Sequence, residues 1–379
     1  MHYQENTVKS DNKVRIISLL LLLPMYAGVA EAWSVFNKII YPIFLAVVIL
    51  AILYKGKIPS LSGRNNIFAL LLLYAMLVVI FDFKHGTFTT FEGFNRSKSW
   101  EALTTVLISF LVIALRVSRR EFLFSIIIGL AIFYLYRAMG LFGIVDIGME
   151  EIRIFSKTAY AFVAFSASLL LYINGKKVLA LAFIMLVAFQ SLRANILAFG
   201  ITIALYHFNV YMQLKKVRAG KIIDYKLVKV LVVIILTGIL LSEIVAAFSI
   251  VGDIDFWENI STGRSFFYYS ILSQWLPNGV DVFCPSYPGY AADLASVYTS
   301  FYGRFNPSQC PHSIIIEMMV DYGIIIGLSF ILLMVLMSNR KGIFATCLFL
   351  ITMSSQCEVF SAINFVTYLL IYRHLSMDS

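Results

Sequence analysis

The chain has 379 residues, of which 60% are apolar and 13% charged, with a formal net charge of +9. A mean hydropathy of +0.85 and 32 phenylalanines exclude a soluble globular domain, which would carry about twice the charge. The basic excess is no nucleic-acid footprint either, because the lysines and arginines sit at the ends of apolar runs.

Apolar runs of about 20 residues, the length a helix needs to cross roughly 30 Å of hydrocarbon, recur along the whole chain. They predict an all-α polytopic integral membrane protein, a single membrane domain over 1–379 with about twelve transmembrane helices. The expected spans are 14–32, 35–54, 66–83, 100–116, 121–140, 158–174, 178–192, 194–212, 229–250, 313–337, 343–356 and 359–373. The first run has no small-residue cleavage site and continues almost at once into the second, so it is expected to remain as a span. Spans seven and eight form one apolar stretch, broken around Ser191-Leu192-Arg193-Ala194-Asn195. Basic pairs flank it at Lys176-Lys177 and Lys215-Lys216, so it is expected to cross twice.

Orientation follows from the basic residues. Alternate connections hold Lys9, Lys13 and Arg15; Lys55, Lys57 and Arg64; Arg116, Arg119 and Arg120; Lys176 and Lys177; Lys215 through Lys229; Arg340 and Lys341; and Arg373. These connections and both termini are expected in the cytoplasm. The one long polar stretch, 251–312 between spans nine and ten, then becomes a large periplasmic loop of a bacterial inner-membrane protein.

The remaining basic residues need a reason to stand outside. Arg96 and Lys98 read as solvated hairpin charges. Arg137, Arg153, Arg193 and Arg264 lie at or near outer span ends. A guanidinium at that depth is unfavourable unless paired or wetted. Each could snorkel to headgroups or pair with Asp146, Glu150, Glu151 or Asp253. Together they fit a polyanion site at the outer leaflet, because the planar guanidinium binds phosphate oxygens bidentately and stays charged. A lipid-linked pyrophosphate is the ligand expected there.

The loop contains Cys284 and Cys310, which in an oxidising compartment are expected to form a disulfide. No metal site is expected from four cysteines split between loop and span. Its aromatic residues, among them Trp257, Phe266, Phe267, Tyr268, Trp275, Tyr287 and Tyr290, fit either an interfacial belt or a groove for sugar rings. His312 stands where the loop meets the membrane and is the candidate for moving a hydroxyl proton near neutral pH. Glu317 and Asp321, one turn apart, are alternative bases or orienting groups.

The long late loop, the Gly263-Arg264 near its start and the run from His312 through Asp321 to Gly323 resemble the O-antigen polymerase (Wzy-type) and O-antigen ligase superfamily. Ser313 stands where that family usually has asparagine, and Ser191-Leu192-Arg193 is similar to its mid-chain Ser-Arg break with one residue inserted. Arg153 resembles the family's arginine before the sixth span. The resemblance implies a GT-C-like, metal-independent glycosyltransferase without cofactor. Its substrate would be an oligosaccharide on undecaprenyl pyrophosphate at the periplasmic face, with a chain-length regulator protein and membrane lipids as partners and no nucleic acid. Arg153, Arg193 and Arg264 would hold the pyrophosphate, with Arg304 as a further loop contact and His312 at the acceptor hydroxyl. A ligase transferring glycan to lipid A-core is the alternative within the family. A polysaccharide flippase is the alternative outside it, although no half-to-half repeat is visible.

Overall fold

A computed structural model describes residues 19, 22–23, 25–26, 66–84, 98–115, 117–141, 158–188, 193–218, 225–249, 264–295, 313–354 and 362–377. These residues are helical with no strand. In chain order the helices are α1 (Asn66–Lys84), α2 (Lys98–Ala114), α3 (Arg119–Leu141), α4 (Thr158–Ile173), α5 (Lys177–Ala188), α6 (Arg193–Arg218), α7 (Lys226–Ser249), α8 (Arg264–Trp275), α9 (Ile314–Met337), α10 (Gly342–Met353) and α11 (Ala362–Met377). Apart from α8, each matches an expected span. The second expected span and most of the first lie outside the described residues, though Tyr26 hydrogen-bonds the Thr367 hydroxyl of α11 at 3.1 Å.

Local sequence explains where the helices start and stop. Ser118 and Glu121 cap α3 reciprocally: the Ser118 N–H donates to Glu121 Oε2 at 2.8 Å, and the Glu121 N–H to Ser118 Oγ at 3.3 Å. The apolar stretch of spans seven and eight divides as expected, α5 ending at Ala188 and α6 opening at Arg193. Among the described residues, four helical segments are by length and composition apolar enough to cross a membrane: Ile67–Lys84, Asn195–Lys215, Lys226–Ser249 and Ile314–Met337. By contrast α5 and α10, with 12 residues each, reach about 18 Å and fall short of a full crossing on their own.

Contacts gather the basic connections at one end of the bundle. Tyr172 Oη and His207 Nε2 are 2.7 Å apart, Tyr206 packs edge-on against Phe344, and Lys229 Nζ donates to the Leu336 carbonyl at 2.5 Å. Phe122, beside Arg119, lies against His374, and the Asn339 N–H donates to Tyr372 Oη at 2.9 Å. At the opposite end Asp82 of α1 accepts from both the N–H and the hydroxyl of Ser99, joining α1 to α2.

The expected tenth span is not one straight helix. Gly323 interrupts α9 with φ 78° and ψ 155°, a conformation essentially confined to glycine. A Cβ at Gly327 would overlap the Met318 carbonyl group. Along a straight helix those residues would stand about 13 Å apart. Ile315 and Val335 line one groove, although a straight helix would hold them about 30 Å apart. The first half, 314–322, therefore folds back beside the second, 324–337, which is only about 20 Å long. Tyr322 seals the bend against Tyr74 and Phe81 of α1, with ring centroids 6.1 and 6.2 Å away.

A Cβ at Gly323 would stand 2.5 Å from the Phe283 carbonyl oxygen, whereas one at Gly279, also of positive φ, would meet open space. Gly323→Ala is therefore expected to destabilise by roughly 2–6 kcal/mol through conformational strain plus overlap. Gly279→Ala should cost only about 1–3 kcal/mol through strain alone. Thermal melting of the two purified variants checks this, and equal melting would remove the role given to close packing at Gly323.

Candidate functional site

The loop after α7 folds into a packed unit. Eight of the twelve residues of α8 are buried, among them Phe266, Phe267, Tyr268 and Trp275. A 3₁₀ helix, Leu276–Phe283, continues from it, and a helical turn at 290–295 closes back on it. Ser270 Oγ donates to the Leu294 carbonyl at 2.6 Å, and Gln274 Nε2 to the same oxygen at 3.1 Å. These four aromatic side chains are therefore buried in the packing of the described part of the loop. The reason is that α8 is held between α7 and that turn, which leaves it little free face. Tyr287 and Tyr290 stay partly open, 5.1 Å apart. Tyr287 donates to Asp293 at 2.6 Å, and partial burial together with that bond raises its phenol above the usual range.

Asp321 docks this unit onto the break in α9. Its side chain is 2% exposed. Oδ2 accepts from the Gly289 N–H at 2.7 Å and Oδ1 from the Ala291 N–H at 2.8 Å. Its main-chain carbonyl, near the interruption of the helix, accepts from the Ser286 N–H at 3.0 Å. Both carboxylate oxygens thus hold backbone, which makes Asp321 an anchor for the loop and leaves Glu317 the more open of the two acids on this half-helix. Glu317 is half-buried in the first turn.

A polar cluster forms where α7, α8 and α9 meet. Ser313 caps α9, its hydroxyl accepting from the Ile316 N–H at 3.3 Å and donating to Glu243 Oε2 at 2.8 Å. Glu243, on α7, is 6% exposed. Arg264, the first residue of α8, acts electrostatically on Glu243 and on the buried phenol of Tyr268. Burial lifts the Tyr268 phenol well above its usual range, the Glu243 carboxylate lifts it further, and Arg264 opposes both. Arg264 was expected to share a site with His312, which lies outside the described residues. Arg193 opens α6 at the end of the bundle opposite His207 and Lys215, which is the loop end. His312 immediately precedes Ser313, but His312, Arg153 and Arg304 lie outside the described residues. Cys284 is exposed, and its expected disulfide partner Cys310 also lies outside the described residues.

Glu243 was not among the residues singled out from sequence. The available signal was a lone acid in the apolar run of α7, LTGILLSEIVAAF, since ionisable residues within spans mark function or pairing. Within one turn of it begins a groove of about 200 Å³, lined by Val233, Leu236 and Leu240 of α7 and Ile315, Ile331 and Val335 of α9. No family model, curated protein or solved structure matches this chain.

Asp321→Ala would leave two backbone N–H groups without their acceptor, at about 1–3 kcal/mol each where they are buried. Limited proteolysis within 264–295 should accelerate markedly, with Asp321→Asn intermediate because an amide supplies only one acceptor oxygen. Unchanged cleavage in the alanine variant would show that the loop is docked by something else.

Proposed function

We propose that this protein is a membrane glycosyltransferase of the O-antigen polymerase kind, joining undecaprenyl-pyrophosphate-linked oligosaccharides at the periplasmic face of the inner membrane. The observation that carries this reading is a polar head, the Glu243–Ser313 pair that caps α9 and on which Arg264 acts electrostatically, close to an apolar groove between α7 and α9. A cationic side chain near the polar end of such a groove would suit an amphiphile with an anionic head and a long apolar tail. The resemblance of the run from His312 to Gly323 and of the Gly263-Arg264 pair supplies the chemical class. Twelve crossings and a cytoplasmic basic end belong to the same reading, on the strength of the positive-inside bias.

In this mechanism an acceptor sugar hydroxyl attacks the anomeric carbon of the donor, forming the new glycosidic C–O bond. The bond from that carbon to the lipid pyrophosphate breaks, and its electron pair leaves with the pyrophosphate. Arg264, with Arg193 and Arg153, stabilises the charge gained by the leaving group. His312 takes the hydroxyl proton. Burying the site at a seam between loop and leaflet strengthens these interactions by lowering the local dielectric.

Two experiments test this. Purified protein in vesicles, supplied with a lipid-linked repeat unit, should build a ladder of longer glycans. Arg264→Ala should slow elongation roughly 10²–10³-fold, the range for losing one preorganised donor at a developing negative charge. Transfer of a single glycan to lipid A-core without a ladder would assign the ligase activity instead, and no transfer at all would sink the enzyme reading. For the orientation and the disulfide, Cys284 in intact cells should react with a membrane-impermeant maleimide only after reduction. Labelling confined to permeabilised cells would put the loop in the cytoplasm.

A further inference from the structure

We propose that the junction of α4, α5 and α6, at the basic end of the bundle, is a headgroup site for an anionic phospholipid. Helices α5 and α6 both pack on α4, and Tyr172, next to the last residue of α4, stands between them. Its hydroxyl lies 2.7 Å from His207 Nε2 of α6, and the ammonium of Lys177, the first residue of α5, sits over its ring at 5.9 Å. Tyr206 meets both rings edge-on, its centroid 6.4 Å from Tyr172 and 5.5 Å from His207. One turn beyond His207, the Tyr211 ring carries the Lys215 ammonium at 4.6 Å. That contact turns the Lys215 charge back along α6 toward His207.

No acid in this part of the chain answers these cations. Between Glu151 and Asp224 there is no acidic residue, although Lys176, Lys177, Lys215, Lys216, Arg218 and Lys221 all fall there. Among the described residues neither the Lys177 nor the Lys215 ammonium meets a carboxylate. An aromatic face attracts an ammonium but leaves its N–H donors for another acceptor. Where the Tyr172 hydroxyl donates to Nε2, the His207 ring proton sits on Nδ1 and adds a neutral donor. Phosphate oxygens supply negative charge and acceptors together. The surroundings select a lipid as their source. Val178, beside Lys177, is 83% exposed and Leu214, beside Lys215, 57%, and Leu181 and Met185 continue the bare apolar strip along α5. Cation and hydrocarbon surface thus change over within one residue, as headgroup and acyl chain do in a lipid. A lysine on a mobile stem meets any headgroup, whereas two lysines laid on Tyr172 and Tyr211 present a defined pair.

The test titrates full-length protein in detergent micelles with phosphatidylglycerol or phosphatidylethanolamine and follows bound lipid by native mass spectrometry. Wild-type protein should prefer phosphatidylglycerol about ten-fold or more, and equal binding of the two lipids overturns the proposal. Lys177→Gln and Lys215→Gln should each weaken phosphatidylglycerol about five-fold, the weight of one basic residue at a leaflet surface. Arg120→Gln, which removes an exposed cation at the start of α3, should leave the affinity within about two-fold. Losses as large there as at the two lysines would mean diffuse surface charge and no built site. Tyr172→Phe keeps the ring under Lys177 and releases His207, so about two- to five-fold weakening is expected. That variant decides the matter where a lysine variant does not fold, and unchanged affinity in it overturns the proposal. Displacement of phosphatidylglycerol by millimolar inorganic phosphate would make the ligand a free phosphate and overturn the lipid as its source.

Discussion

A helix that stops being a helix at membrane depth frees backbone groups that lipid cannot satisfy, and that constraint organises this end of the molecule. At Gly323 the chain takes a glycine-only conformation, and the carbonyl at 321 is released from the regular ladder. The loop unit fills the opening. Phe283 and Cys284 bring their backbone against Gly323 where a Cβ would stand, and the Ser286 N–H takes up the Asp321 carbonyl. Asp321 reciprocates with its side chain, accepting from Gly289 and Ala291. The break and the loop are therefore one device: irregular backbone is tolerated because it is enclosed in protein, and the enclosing protein is held by the residue beside the break.

Folding back the first half of α9 also delivers Ser313 to α7. There the hydroxyl meets Glu243, on which Arg264 at the start of α8 acts electrostatically. Each of these groups would be unfavourable alone at that depth. A buried carboxylate needs a donor or a cation, and a guanidinium at the leaflet needs an anion or water. The opposite end of the bundle is built differently: neutral hydroxyls at Ser338, Thr346 and Tyr368 form a buried chain at 2.6 and 2.9 Å, and the lysines and arginines lie at its rim.

Much of the architecture was legible from sequence because it depends on local quantities. Runs of apolar residues set where α1 to α7 and α9 to α11 occur, and the polar break before Arg193 divides α5 from α6. What escaped depends on tertiary geometry. The run 314–337 has the length and hydropathy of an unbroken crossing, and Gly323 reads there as an ordinary span glycine until Phe283 is placed against it. The aromatic density of 266–275 carries no sign of which face is buried, because α8 turns out to be covered almost all round. Arg264 was found through its position at a span end, whereas Glu243 was passed over as one acid in an apolar helix. Its meaning came from Ser313, a residue first noticed as a departure from the family pattern.

The groove and its polar head have a single origin. Leu328 and Leu332 from the second half of α9 line the same groove as Ile315 from the first half, facing Val233 to Leu240 of α7. A straight α9 would carry Ile315 and Ser313 away along the helix axis, separating the hydrocarbon-lined channel from the charged cluster by about the thickness of a leaflet. With the bend, the apolar lining and the Glu243–Ser313 pair meet within one turn of Glu243. An amphiphile makes the same demand of its binding site: an abrupt change from hydrocarbon to charge, at fixed depth, on one continuous surface. A regular bundle of apolar helices offers that change only at its ends, where water competes. On the function proposed above, breaking one helix and covering the break with a folded loop moves that boundary inward, and the tail of a lipid-linked substrate would lie among Leu, Ile and Val.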